Sequence, residues 1–439
     1  MSARDSTLRV LSACRTGGAW ADAALAAELK RAGLNAADAA LTSRIVYGVM
    51  QNRMLLDDRL EAYCTQRLSH LQQPLPDILR IGAYQILFLD KVPDSAAVNE
   101  SVELAKASKR GAAAGLVNAV LRRLSQNKEH LPSIRAEDEI GQLSVETSHP
   151  RWLTERMAAL LGTDGAEAFL RENNEIAPVT VQINPLKTDA DRLLRELSGC
   201  GVTAKPHDWV PDCLELSGVG DLTTLPAFYR GEFTVQDGAA RLVSLVSGVR
   251  PGMAVLDVCA APGGKSFSAA FAMQGKGRIV ACDLHENKLK RVREGAERLG
   301  IGCIETCAAD GREIRSEWQN GFDVVFCDVP CSGLGIIRKK PDVRYKEPAA
   351  LADLPEIQRA ILTNAARYVK PGGALVYSTC TVLPEENESV TDAFLHSAPE
   401  YAYEPFALPV GETDGKITLW PQKHGTDGFY IAKIRRKQA

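Results

Sequence analysis

Two cysteines sit in settings suited to thiol chemistry. Cys331 lies in Asp328-Val-Pro-Cys-Ser-Gly333 and Cys380 in Ser378-Thr-Cys-Thr381. Each follows directly on an apolar run, in a turn rich in Pro, Ser or Thr rather than in a predicted core. The thiolate is the reactive form of cysteine, and a polar, electropositive rim lowers its pKa. A single such cysteine would read as an incidental small side chain. Here four acids share the setting: Asp257, Asp283, Asp310 and Asp328 close four successive apolar runs. One acid at a strand end is often a helix cap. A series of them points to a ligand with several polar groups.

The ligand is indicated by the stretch Cys259-Ala260-Ala261-Pro262-Gly263-Gly264-Lys265. It follows the run Val255-Leu-Asp257 and precedes a series of helix formers, which predicts a strand, a glycine turn and a helix. Gly263 and Gly264 permit positive φ and let a ligand approach the backbone at a helix N-terminus, where N–H groups favour negative charge. The dinucleotide fingerprint G-x-G-x-x-G is missing, and the phosphate loop fails because Cys259 stands where its first glycine belongs. The turn therefore suits a carboxylate rather than a triphosphate. S-adenosyl-L-methionine has a carboxylate, a ribose, an adenine and no phosphate. Asp283, 19 residues after Gly264, is near the spacing at which an acid meets ribose hydroxyls. Asp310 is expected at the adenine amino group and Asp328 near the sulfonium.

A methyl donor beside a thiol suits methylation at carbon 5 of a pyrimidine. That carbon is a poor nucleophile until a thiolate adds to carbon 6 and places electron density on it. An acid near ring N3, for which Asp328 is placed, would stabilise the addition, and a base must later remove the carbon-5 proton. Two cysteines fit two such roles, but spacing does not say which one attacks.

These residues require a parallel sheet that presents them at one edge. From about Gly231 onward, strand candidates at 254–258, 278–282, 303–308, 323–327 and 374–378 alternate with helical stretches, the pattern of a doubly wound α/β domain. The tail, 416–420 and 428–433, is a candidate antiparallel hairpin at the sheet edge. Residues 1–130 read as helical throughout, with stretches at 24–31, 45–54, 77–89 and 98–107. They carry 17 Lys and Arg against 13 Asp and Glu. Residues 125–150 read as a linker, and 145–232 as a small α+β module with helices at 152–161, 166–172 and 189–197. The domains expected are thus 1–130, 145–232 and 233–439.

Composition sets the outer bounds. The 439 residues are 45% hydrophobic and 24% charged, with a net charge of −3, as in a soluble multidomain protein. No stretch is apolar for long enough to span a membrane, and the N-terminus lacks the apolar core of a secretion signal, so a cytoplasmic location is expected. Eleven cysteines, an odd number, read as thiols of a reducing compartment. Cys303 with Cys307 and Cys327 with Cys331 lack further ligands nearby, and no metal site is expected. A dense basic run, Arg338, Lys339, Lys340, Arg344 and Lys346, follows the Pro-Cys motif and is expected on the same rim, touching phosphate.

Two resemblances sharpen this reading. The segments Val92–Lys106 and Gly115–Arg123 resemble the helical NusB domain, which implies contact with RNA. Asp257–Lys265, Asp328–Ser332 and Ser378–Cys380 together resemble the RNA (cytosine-5) methyltransferases, and with the NusB-like front the chain resembles the bacterial 16S rRNA members of that family. The resemblance implies a multidomain chain: an all-α NusB-like domain, an α+β RNA-binding module and a Rossmann-like methyltransferase domain. It implies Cys380 as nucleophile, Cys331 as the thiol assisting product release, and cofactor contacts at residues 259–265, Asp283, Asp310 and Asp328. It further implies 16S ribosomal RNA as partner, with DNA and membrane excluded and a monomer expected. The alternatives are a methyltransferase of tRNA or another RNA, a binding factor that has lost catalysis, and, least favoured, a nicotinamide-dependent oxidoreductase.

Overall fold

A computed structural model describes residues 2–17, 20–108 and 110–438. The chain divides into two compact units, one running to Glu175 together with Ile337–Lys346, the other comprising Ile176–Ile336 and Glu347 onward.

The first unit is helical: α1 (Ala3–Gly17), α2 (Ala21–Ala32), α3 (Ala36–Gln51), α4 (Arg53–Glu61), α5 (Leu75–Phe88), α6 (Asp94–Ala107), α7 (Ala114–Gln126), α8 (Glu139–Glu146) and α9 (Arg151–Glu172). Apolar residues at helical spacing, among them Ile45, Leu56, Leu60, Ile78, Leu79 and Leu121, form its core. Helix α8 lies in the stretch read as a linker. Asp138 starts it by accepting a hydrogen bond from the Gly141 N–H. The two helical stretches expected at 152–161 and 166–172 both lie in α9 and are separated by a kink at Gly162, where φ is +73° and the backbone is not helical.

The basic run belongs to this unit, and the expectation that it touches phosphate is corrected for Arg338 and Arg344, whose side chains are buried. Arg344 is fully buried. Its guanidinium donates to the carbonyls of Gln51, Thr147, Ser148 and Asn173 at 3.1–3.3 Å and to Asn174 Oδ1 at 2.8 Å. The buried side chain of Arg338 pairs with Glu172 at 3.0 Å, and Lys340 pairs with Asp22 at 3.3 Å. A charge run normally reads as solvated; here Arg344 gathers the carbonyls left open where helices end.

The second unit starts with a four-stranded antiparallel sheet, order β2-β3-β1-β4, built from β1 (Val179–Ile183), β2 (Thr203–Pro206), β3 (Cys213–Ser217) and β4 (Phe233–Val235). Helix α10 (Ala190–Gly199), capped by Asp189, packs Leu193 and Leu197 into its core. After α11 (Pro226–Tyr229) and α12 (Gly238–Ser247) comes the larger sheet: β5 (Ala254–Asp257), α13 (Gly264–Ala272), β6 (Arg278–Asp283), α14 (Glu286–Leu299), β7 (Ile304–Ala308), β8 (Phe322–Asp328), α15 (Leu354–Ala366), β9 (Val369–Thr379), α16 (Glu388–Ser397), β10 (Tyr401–Tyr403), the two-stranded β11 (Phe406–Leu408) and β12 (Gly411–Thr413), β13 (Lys416–Leu419), α17 (Pro421–His424) and β14 (Phe429–Arg436). The sheet order is β10-β14-β9-β8-β5-β6-β7, with β13 also paired to β14. Strands β5 to β9 run parallel; β13 and β14 form the expected antiparallel hairpin, with β14 lying on β9.

Successive residues on each strand enter two different cores. Val255, Ile279, Val324 and Val376 face α12, α13 and α14, while Leu256, Val280, Val325 and Tyr377 face α15 and α16. Burial on both faces explains why the strands read as continuous apolar runs. The first polar residues therefore appear where the strands end, and there the site is built. Among the described residues no helix is long and apolar enough to cross a membrane.

Candidate active site

The parallel register fixes the site. Asp328 at the end of β8 is opposite Ser378 on β9, and Asp257 at the end of β5 is opposite Phe326. The Ser378 hydroxyl donates to Asp328 Oδ1 at 2.7 Å. Lys265, in the first turn of α13, places Nζ 2.5 Å from Asp328 Oδ2. Just beyond these strand ends, the sulfurs of Cys331 and Cys380 are 3.1 Å apart.

The two cysteine turns are stitched together. The Gly335 N–H donates to the Cys380 carbonyl at 2.9 Å, and the Gly428 N–H to the Gly335 carbonyl at 2.8 Å. A Cβ on Gly335 would come within 1.8 Å of the Gly428 oxygen, so this close approach requires glycine. The hydroxyls of Ser332 and Thr381, both fully buried, are 2.7 Å apart. Asn387 accepts from the Thr379 hydroxyl and donates to the Thr381 carbonyl. Glu386 accepts from the Ser332 N–H at 2.9 Å and from the Gln358 amide at 2.8 Å, and that amide also donates to the Pro330 carbonyl. Sequence reasoning missed Ser266, Gln358, Glu386 and Asn387. For the last two the signal was present: a dense acidic run, Glu385-Glu-Asn-Glu388, five residues after Cys380 and flanked by apolar residues.

Burial and nearby charges act on Cys331 and on Lys265. Cys331 is raised well above the ordinary thiol value by its hydrogen bond to Cys380, by burial and by the nearby acids Glu386 and Asp328. Lys265 is pushed down by burial, but Asp328, with smaller contributions from Asp257 and Cys380, outweighs this and raises it. Glu386 and Asp328 thus contribute to raising Cys331, and Cys380 contributes to raising Lys265. Cys259 and Cys327 are raised well above the ordinary range, chiefly by burial, as befits inert packing groups.

The cofactor loop has the expected form. Gly263 precedes α13 with φ +115°, and its missing Cβ leaves room for the Phe267 ring, whose nearest atom would be 2.4 Å away. The Ala260 N–H donates to the Cys282 carbonyl, tying the loop to β6. Ala260 and Gly263 are buried, Cys259, Ala261, Gly264 and Lys265 half-buried, and Pro262 exposed. Beneath the loop, fully buried Asp257 accepts from the Ser266 hydroxyl at 2.7 Å, and its other oxygen has no hydrogen-bond partner among the described residues. Burial pushes this carboxyl up to about 7, against the pulls of Ser266 and Lys265. Asp283, 8% exposed at the end of β6, accepts from the His285 N–H. Asp310 follows β7, gripped through both oxygens by Arg312, whose hydrogen bonds lower its pKa. An open α13 N-terminus, an unpartnered buried carboxylate oxygen and acids beyond three adjacent strand ends fit a zwitterionic nucleoside such as S-adenosyl-L-methionine.

Comparison with known proteins agrees with this geometry. Residues 246–435 match the model described as 16S rRNA methyltransferase RsmB/F, 1–126 the NusB family, and 149–223 the ferredoxin-like domain of RsmF/B-like methyltransferases. The probable ribosomal RNA small subunit methyltransferase B of Bacillus subtilis is 36% identical over 446 residues, covering 99% of both chains. The chain belongs to the RsmB/F family of rRNA methyltransferases. The ribosomal RNA small subunit methyltransferase B of Sodalis glossinidius is 33% identical over 93% of this chain and 92% of its own. The crystal structure of PH0851 superposes at a TM-score of 0.82, with 27% identity and 99% of both chains covered. As an RsmB/F family member the protein is an S-adenosyl-L-methionine-dependent RNA (cytosine-5)-methyltransferase. Its fold is the expected series of NusB domain, small ferredoxin-like module and Rossmann-like methyltransferase domain.

Proposed function

We propose that this RsmB/F enzyme methylates a cytosine of 16S ribosomal RNA through a covalent bond between Cys380 and carbon 6 of the base. The observation that carries the reading is the 3.1 Å separation of the Cys331 and Cys380 sulfurs beside the Lys265–Asp328 pair. S-adenosyl-L-methionine, when bound, supplies a methyl group on a positively charged sulfur. Residues 259–265 hold its amino-acid end, Asp283 its ribose and Asp310 its adenine, with Asp328 on the methyl side.

The target base must leave any stack to reach this pocket. The Cys380 thiolate adds to carbon 6, and carbon 5 gains the electron density to attack the methyl group. Asp328 and Lys265 face the N3 side, where charge develops on addition. Cys331 then takes the carbon-5 proton, the ring double bond re-forms and Cys380 leaves. The domains at 1–130 and 145–232 supply the grip on RNA, and the enzyme works as a monomer in the cytoplasm, on neither DNA nor membrane.

The substrate is tested by mass-spectrometric mapping of 5-methylcytosine in RNA from cells lacking the protein. Loss of one mark from 16S rRNA is expected. Loss from tRNA with 16S rRNA unchanged would reassign the substrate.

A further inference from the structure

Glu386 has a surrounding that the reaction as described leaves unexplained. It is 1% exposed. One carboxylate oxygen accepts from the Ser332 N–H and from Gln358; the other, also buried, has no hydrogen-bond partner among the described residues. A buried carboxylate without a cation is costly to keep. Its next neighbour along the Ser332 hydrogen bond is Cys331. The titratable groups around that thiol are Cys380 at the end of β9, Asp328 at the end of β8, Tyr377 within β9 and Glu386 itself. The first two and Glu386 all oppose a negative charge on Cys331. Tyr377 donates its hydroxyl to the Glu386 carbonyl at 2.6 Å and so fixes the backbone that carries the acid. Lys265, paired with Asp328, is raised in part by Cys380.

We propose that Glu386 is a positioning residue for methyl transfer: its carboxylate places the single proton shared by the two thiols on Cys331 and leaves the negative charge on Cys380. The proposal rests on the covalent reading above. The Cys331 S–H donates to a lone pair of Cys380. When Cys380 adds to carbon 6, that pair becomes the carbon–sulfur bond and the proton stays on Cys331. The negative charge of Cys380 is then gone, which eases loss of the Cys331 proton to water, although Glu386 and Asp328 still oppose it. After methylation it accepts the carbon-5 proton, the C–H pair restores the ring double bond, and the carbon–sulfur pair returns to Cys380. By keeping Cys331 the more basic of the two sulfurs, Glu386 assigns attack to one and proton removal to the other.

The test is alkylation of the full-length protein by iodoacetamide from neutral to alkaline pH, with modification read peptide by peptide. In the wild type Cys380 should react well ahead of Cys331, because the thiolate is the reactive form. Glu386→Gln should lower the Cys380-to-Cys331 rate ratio roughly tenfold, the effect of about one pKa unit. Gln358→Leu, which loosens the turn but keeps the charge, should leave the ratio near that of the wild type. An unchanged ratio in Glu386→Gln, or an equal fall in Gln358→Leu, overturns the proposal. Should Glu386→Gln not fold, Glu386→Asp retracts the charge by one methylene and should lower the ratio by a smaller factor; no change there overturns it equally. RNA adducts formed by Cys380→Ala would sink the covalent reading instead, whatever the alkylation ratio.

Discussion

Lys265 Nζ lies 2.5 Å from Asp328 Oδ2, with the lysine side chain only 12% exposed. The pair joins the cofactor loop to the strand that leads into the Pro-Cys turn. Breaking a buried ion pair from one side leaves an uncompensated charge and costs about 3–5 kcal/mol. Lys265→Met should therefore lower the denaturation midpoint and remove methyl transfer, whereas Lys265→Met combined with Asp328→Asn should regain much of the stability and none of the activity. Chemical denaturation beside a methylation assay separates the two effects.

Asp257 makes stability depend on pH in an unusual direction. Folding raises its pKa from 3.8 to about 7, so the folded protein holds a proton that the unfolded chain has lost. Its contribution is complete below about pH 3.8, falls as pH rises towards 7 and is flat above that. The full change is on the order of 4 kcal/mol. Asp257→Asn should lack this component. Denaturation curves of both proteins should converge at acid pH and separate towards neutrality, with the variant the more stable; parallel curves would show that Asp257 titrates normally.

Gly335 should tolerate no side chain. Alanine there meets the Gly428 oxygen at 1.8 Å, and overpacking of this kind costs about 1–3 kcal/mol or more. Because the Gly335 N–H holds the Cys380 carbonyl, Gly335→Ala should also slow methylation beyond what its stability loss explains. Assays well below its melting temperature would check this.

Arg344 is predicted to act in folding rather than in RNA binding. Burial lowers its pKa to about 10, and it serves five acceptors of the helical unit. Each acceptor left unpaired costs about 1–3 kcal/mol. Arg344→Met should destabilise that unit while leaving the salt dependence of RNA binding unchanged, since no phosphate contact is lost. A titration of affinity against salt checks the second half.

The same arginine shows where the sequence was legible and where it was not. The strand ends bearing Asp257, Asp283 and Asp328 could be located because each terminates an apolar run buried on both faces. The two cysteine turns could be placed on one rim because each follows a strand candidate of the same parallel sheet, and those strands, β8 and β9, pair directly. Arg338 and Arg344 misled because local charge density carries no information about which distant carbonyls will surround a guanidinium. Glu386 and Gln358 escaped notice for a related reason: their partners, Ser332 and Pro330, are 54 and 28 residues away. Asp138 was a cap in a polar stretch, where a short helix and a linker read alike.

The central claim is that Cys380 bonds to the base and Cys331 frees it. Cys380→Ala, Cys331→Ala and the wild type, each incubated with substrate RNA and S-adenosyl-L-methionine, can be compared on denaturing gels. A stable protein–RNA adduct should accumulate in Cys331→Ala, with none in Cys380→Ala and no methylation by the latter. An adduct that persists in Cys380→Ala and is absent from Cys331→Ala would contradict the account and reverse the two roles.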